Sequence, residues 1–208
     1  MAGLADVGWG WWAFLGPLFA FVVWTVIDTL VVSPRRATSK FAGVQGALQR
    51  PVVRESEYLS SITWPVDDRP VTVRSTFIGG EASVRGMGGH LFVLATPLRV
   101  PAWAMHDVEV RQRRRQGDWD ERFKRVESGI PVREGWATDP LRAAIAHFFD
   151  HPLAVGTLRT DRGELQHVAS WSAVGDTRDP AAVRDLLTRF AGVAVAFDRA
   201  AVRPHPMA

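Results

Sequence analysis

From Val7 to Ile27 the chain carries no charged side chain, and the apolar run resumes after Asp28 as far as Val32. An α-helix rises about 1.5 Å per residue, so a run of this length can cross a hydrocarbon core of about 30 Å. The pattern predicts a transmembrane helix over 7–32. A cleaved signal peptide fits less well: the leader MAGLADV has no basic residue, and the apolar run is longer than such peptides need. Trp9, Trp11 and Trp12 fit an aromatic belt at one interface. Ala13, Gly16 and Ala20 form a small-residue, helix-packing face opposite the bulky set Phe14, Phe21 and Trp24. Asp28 lies about one turn from the far end, within reach of headgroups, water or a neighbouring protein.

After this segment the pattern changes. Residues 33–57 read as a juxtamembrane connector in which Pro34 ends the helix and Gly43, Gly46 and Pro51 interrupt regular structure. Phe41, Val44 and Leu48 have helical spacing beside basic residues, which suits either a short helix lying on lipid or an extended tether.

Residues 58–201 read as one α+β domain, with 202–208 as a tail. Val71 and Val73 alternate with Thr72 and Arg74 at the period of a strand, and 82–87 and 90–96 are further strand candidates. Gly79-Gly80 and Gly86-Met87-Gly88-Gly89 supply turns between them. Residues 98–105, with Pro101 inside and Pro97 just before, suit an edge or bent strand, and 107–116 alternates before entering a basic run. Asp139-Pro140 and Asp179-Pro180 each announce a helix, with the aspartate as N-cap. The predicted buried stripes are Leu141, Ile145 and Phe148 on the first, and Val183, Leu187, Phe190, Ala194 and Phe197 on the second. Between them, 153–160 and 164–171 form a hairpin turning at Asp161-Arg162-Gly163. The fold class expected is an N-terminal transmembrane helix followed by an antiparallel β-meander with two packed helices.

Charge gives the anchor a direction. Arg35, Arg36 and Lys40, then Arg50 and Arg54, follow it, and no Lys or Arg precedes it. The positive-inside rule sets the N-terminus in the periplasm and the domain in the cytoplasm of a bacterial inner membrane. The isoelectric point near 10.1 overstates the basicity, because the formal net charge is only +3. Almost all the basic residues are arginines, which stay charged to high pH. The chain has no cysteine, which excludes disulfides, thiolate metal sites and cysteine nucleophiles.

Candidate chemistry is sparse. The glycine cluster at 86–89 lacks the Gly-Lys-Ser/Thr ending of a phosphate loop and runs into a strand pattern, so it reads as a turn. His147 and His151 have the i, i+4 spacing that shows two imidazoles to one metal, but they lack a third ligand and sit where the helix dipole favours histidine anyway. No metal and no cofactor is expected, and the anchor has no histidine to hold a pigment. Arg111, Arg113, Arg114 and Arg115, with Arg122, Lys124 and Arg125, form a basic patch for anionic lipid or an acidic partner. Nucleic acid is not expected, because no aromatic residues interleave these arginines.

Gly117-Asp118-Trp119-Asp120-Glu121-Arg122-Phe123 is the most distinctive local pattern. Trp119 and Phe123 would anchor a short turn that Asp118 or Asp120 caps. This segment, followed by Pro140-Leu141-Arg142 at a helix start, a hairpin and a closing helix, resembles uncharacterised bacterial single-pass membrane-anchored proteins with a GDxx(F/W)DxxF-like segment. The likeness covers 72–197, departs at Trp119 where phenylalanine is expected, and implies no activity. The architecture alone resembles the reaction-centre H subunit of purple bacteria.

The sequence thus points to a non-enzymatic accessory or scaffolding subunit of an inner-membrane complex, photosynthetic or respiratory, whose partners are integral membrane proteins and anionic headgroups. Two alternatives stand beside it. One is a tethered regulatory or ligand-sensing domain. The other is an anchored enzyme with a dispersed site drawn from His90, His106, Asp118, Asp120 and His147.

Overall fold

The computed structural model describes residues 6–27, 31–56, 59–78, 89–99, 108–127 and 138–201, with side chains from residue 15 onward except those of Ser33, Ile78, 125–127 and Ala201. In chain order the elements are α1 (Asp6–Ile27), α2 (Ser33–Leu48), β1 (Val53–Arg54), β2 (Leu59–Val66), β3 (Arg69–Ile78) and β4 (Gly89–Pro97). There follow β5 (Val108–Gln112), α3 (Trp119–Arg122), β6 (Phe123–Glu127), α4 (Asp139–Phe149), β7 (Thr157–Asp161), β8 (Glu164–Ser170) and α5 (Pro180–Ala201). The architecture is α+β, an antiparallel eight-stranded sheet in the order β1-β2-β3-β4-β8-β7-β5-β6 with helices against it.

The period-two pattern decides which face of the sheet meets the helices. In β3, Val71 and Val73 are fully buried and alternate with half-buried Thr72 and Arg74. Phe92 and Leu94 of β4, and Leu165 and Ala169 of β8, join the same hydrophobic core. The hairpin β7–β8 turns at Arg162 (φ 48°) and Gly163 (φ 81°), the paired positive φ values of the turn that matches strand twist. Both predicted helices form, and every residue of their predicted stripes is buried. Asp179 caps α5 as expected, its Oδ1 accepting the Ala181 N–H at 2.9 Å. In α4 the cap position falls one residue earlier, on Thr138, with no side-chain bond, and Asp139 sits in the first turn.

The N-terminal third departs from expectation. Among the described residues no helix is long and apolar enough to cross a membrane, which leaves the transmembrane segment expected over 7–32 unsupported by the fold. The described part of α1 reaches Ile27, and Pro34 lies in the first turn of α2 rather than after the end of a helix. The reason is local: proline has no N–H and a helical φ, so it costs nothing in a first turn. The segment beyond is a helix and not an extended tether, and the stripe Phe41, Val44 and Leu48 expected to lie on lipid faces the core instead. Ala37, Phe41, Val44, Ala47 and Leu48 recur at helical spacing and are buried in the core, packed toward α5 and β4. The glycines expected to interrupt it are absorbed by α2, which closes at Gln49 in a left-handed conformation (φ 51°) with its N–H on Gln45 O.

The expected strands over 82–87 and 98–105, the turn glycines at 79–80 and 86–88, Asp28 and His106 lie outside the described residues, except that Leu98 and Arg99 follow β4.

Candidate functional site

Three arginines come together where α2 begins. Arg35 and Arg36, in its first turns, face Arg178, which lies in the segment between β8 and α5. With Ser39, Lys40 and residues 174–177 they line an open groove of about 510 Å³. All three arginines are exposed, and among the described residues none has a carboxylate partner. The groove holds one carboxylate, Asp176, whose Oδ1 already accepts the Arg178 backbone N–H at 3.0 Å.

The wall opposite α2 is fastened to it by specific bonds. Lys40 Nζ donates to Trp171 O at 2.7 Å and also to Val174 O. Thr177 Oγ1 donates to Lys40 O at 2.6 Å. Gly43 permits the approach: a Cβ there would stand 2.8 Å from Thr177 Oγ1 and 3.1 Å from Thr177 O. Beneath, Phe41 meets Trp171 edge-on at 6.3 Å, and Trp171 Nε1 donates to Ser75 Oγ at 2.9 Å. Lys40 is held below the ordinary lysine value, first by burial and then by Arg36, with Asp176 opposing. Its ammonium is engaged by the Trp171 and Val174 carbonyls rather than left free.

The other predicted residues are dispersed. Trp9, Trp11, Trp12 and Ala13 lie on the helical backbone of α1, with side chains outside the described set. Gly16 and Ala20 of the small-residue face are unburied, and a Cβ on Gly16 would meet nothing within 4 Å. Arg111 is exposed and 3.4 Å from Glu109 on β5, towards the far edge of the sheet. Arg113, Arg114 and Arg115 follow it, also exposed, with the Arg113 N–H on Arg122 O at 2.7 Å. Trp119 and Phe123 do anchor their turn, with rings 4.5 Å apart, but Asp118 makes no capping bond and both Asp118 and Asp120 are exposed.

The described histidines form no cluster. His147 is exposed on α4, and His151 is buried with its Nε2 3.7 Å from Asp185. Burial lowers the His151 pKa against the pull of Asp185. His90 packs on Phe77 at 5.0 Å, and partial burial lowers its pKa too. Among the described residues no group of three His, Asp or Glu side chains could hold a metal.

Arg178 and its segment escaped sequence reasoning because they lie far along the chain from α2. The single available signal was negative: a charged residue between β8 and α5 with no partner at helical or hairpin spacing. No protein family matches the chain, and no curated protein or solved structure is significantly similar to it.

Proposed function

We propose that the protein is a non-enzymatic accessory or scaffolding subunit of a multi-subunit inner-membrane complex, with α1 as a single-pass anchor and the α+β domain on the cytoplasmic side. One observation carries this reading. From Leu15 to Ile27 no side chain of α1 is buried; Phe19 is 71% and Trp24 63% exposed. An uncharged stretch such as 15–27, with its bulky side chains bare, is unfavourable in water, at about 1.5–3 kcal/mol for each large apolar side chain that stays uncovered. A bilayer, with other helices against the Gly16–Ala20 face, relieves that cost. The setting we favour is an energy-transducing complex, photosynthetic or respiratory, on architectural likeness. The resemblance to bacterial single-pass membrane-anchored proteins runs the same way.

The absence of a catalytic role is part of the proposal. Its support is that Asp118 and Asp120 are exposed at α3, His147 is exposed on α4 and His90 packs on Phe77, with no hydrogen bond or ion pair joining them among the described residues. The test is mild-detergent extraction of the native protein, size separation, and mass spectrometry of what co-migrates. Stoichiometric membrane proteins in the same peak are expected. Migration alone, as monomer or homodimer, would overturn the accessory-subunit reading.

A further inference from the structure

We infer that the groove at the start of α2 seats the phosphate headgroup of a single anionic phospholipid. The inference deepens the membrane-anchored reading and rests on it. Three guanidinium groups, Arg35, Arg36 and Arg178, line one groove together with the exposed, hydroxyl-bearing Ser39. Guanidinium forks bind phosphate oxygens in pairs, with a geometry that an ammonium lacks. Asp176 is the one carboxylate in the lining, and against Arg35, Arg36, Lys40 and Arg178 it leaves the groove an excess of positive charge.

Two features separate this groove from a diffuse basic patch. Its cations come from segments remote in sequence that the Lys40 and Thr177 bonds lock together, so their spacing is set by the fold. By contrast, Arg113, Arg114 and Arg115 are consecutive and exposed, a charged stretch without a concave frame. Position in the chain is the second feature. The groove-lining Arg35 and Arg36 come just after α1, where a chain leaving a bilayer passes the phosphate layer. A zwitterionic headgroup carries its own cation into this groove, and an anionic one does not.

The full chain in mild detergent is titrated with dihexanoyl phosphatidylglycerol, dihexanoyl phosphatidylcholine and inorganic phosphate, with tryptophan fluorescence and calorimetry as readouts. Saturable one-to-one binding of the phosphatidylglycerol is expected, with the phosphatidylcholine and inorganic phosphate at least tenfold weaker. R36Q and R178Q should each weaken it roughly fivefold, the loss from one basic residue near an anionic surface. The charge-preserving double variant R36K/R178K should also weaken it, because the fork is lost while the charge stays. The triple variant R113Q/R114Q/R115Q should bind as the parent does.

Equal binding of the two lipids, or an R36K/R178K variant equal to the parent, would overturn the inference. Inorganic phosphate binding as tightly as the lipid would replace it with a free-phosphate site. A parallel flotation assay with pure phosphatidylcholine vesicles tests the anchor by itself, and the same assay with phosphatidylglycerol added to the vesicles reads anionic preference. Flotation without anionic preference sinks only the headgroup site, whereas failure to float sinks the membrane reading beneath it.

Discussion

His167 shows what one buried residue can do to the whole chain. It sits on β8 between Leu94 and Leu158 of the flanking strands, fully buried, with the rings of Phe92, Phe148 and Phe149 at 6.1, 5.0 and 6.1 Å. Neither ring nitrogen has a well-formed hydrogen bond; the Val155 backbone lies near enough only to offset part of the burial. Burial pushes its pKa down to about 4 from the usual 6.5. In the unfolded chain the ring takes a proton near pH 6.5, and in the folded protein it resists until about pH 4. Stability is therefore full above pH 6.5 and falls as pH drops through this window, by roughly 3 kcal/mol in all, levelling below about 4. Urea unfolding from pH 4.5 to 7.5 should show the decline, and H167L should flatten most of it. Some slope should persist in H167L, since burial also lowers His90 and His151. An unchanged slope would acquit the ring. The alternation of Leu165, His167 and Ala169 was visible in the sequence, but the phenylalanines around His167 come from β4 and α4, which no local pattern brings together.

At the scale of elements, what was legible followed from short-range rules. Helices α4 and α5 were readable because an aspartate-proline start and a 3.6-residue stripe are properties of a single segment. The β7–β8 hairpin was readable because its turn residues adjoin. Two matters were not. Pro34 reads equally as the end of one helix or the start of the next, and only the burial of Ala37, Phe41 and Leu48 decides for the second. The sheet order was also hidden, because β8 inserts beside β4 and leaves β5 to pair with β7. That choice depends on long-range pairing and not on the alternation within any strand. The α2 contact makes a sharp prediction. Gly43→Ala would press a Cβ into the Thr177 backbone at 3.1–3.2 Å, at a cost of about 1–3 kcal/mol. Lys40→Met removes bonds to Trp171 and Val174 that a charged donor makes worth about 1.5–3 kcal/mol. Both should lower the unfolding midpoint, and the double variant should lose less than the sum because both loosen one contact. Full additivity would show that α2 and the 174–178 segment are independent. At the other end of the layer, Arg69 of β3 pairs with Asp198 of α5, and Arg69 Nη1 donates to Pro97 O at 2.5 Å. Asp198→Ala strands a buried guanidinium and should cost about 3–5 kcal/mol, while R69M/D198L should recover most of that.

For the molecule as a whole, the decisive fact is that, among the described side chains, the hydrophobic core takes its members from Ala37 onward and none from residues 15–27 of α1. The apolar run of α1 was the most legible feature of the sequence, yet a sequence cannot say whether such a run is covered by its own fold. Here the described part of it is not. Two consequences follow and can be separated experimentally. If α1 serves only to hold the protein at a membrane, a chain starting at Val31 keeps the whole core, the Pro34 helix start and the Lys40 lock. It should stay soluble without detergent and melt within a few degrees of the full chain, which must be kept in detergent. It should also lose vesicle flotation and co-migration with membrane proteins together. A truncated chain that unfolds or aggregates would mean that α1 packs on the domain in the working protein. A truncated chain that is stable and still co-migrates would move the partner contact from the helix to the domain surface, with the exposed arginines at 113–115 the first place to look for it.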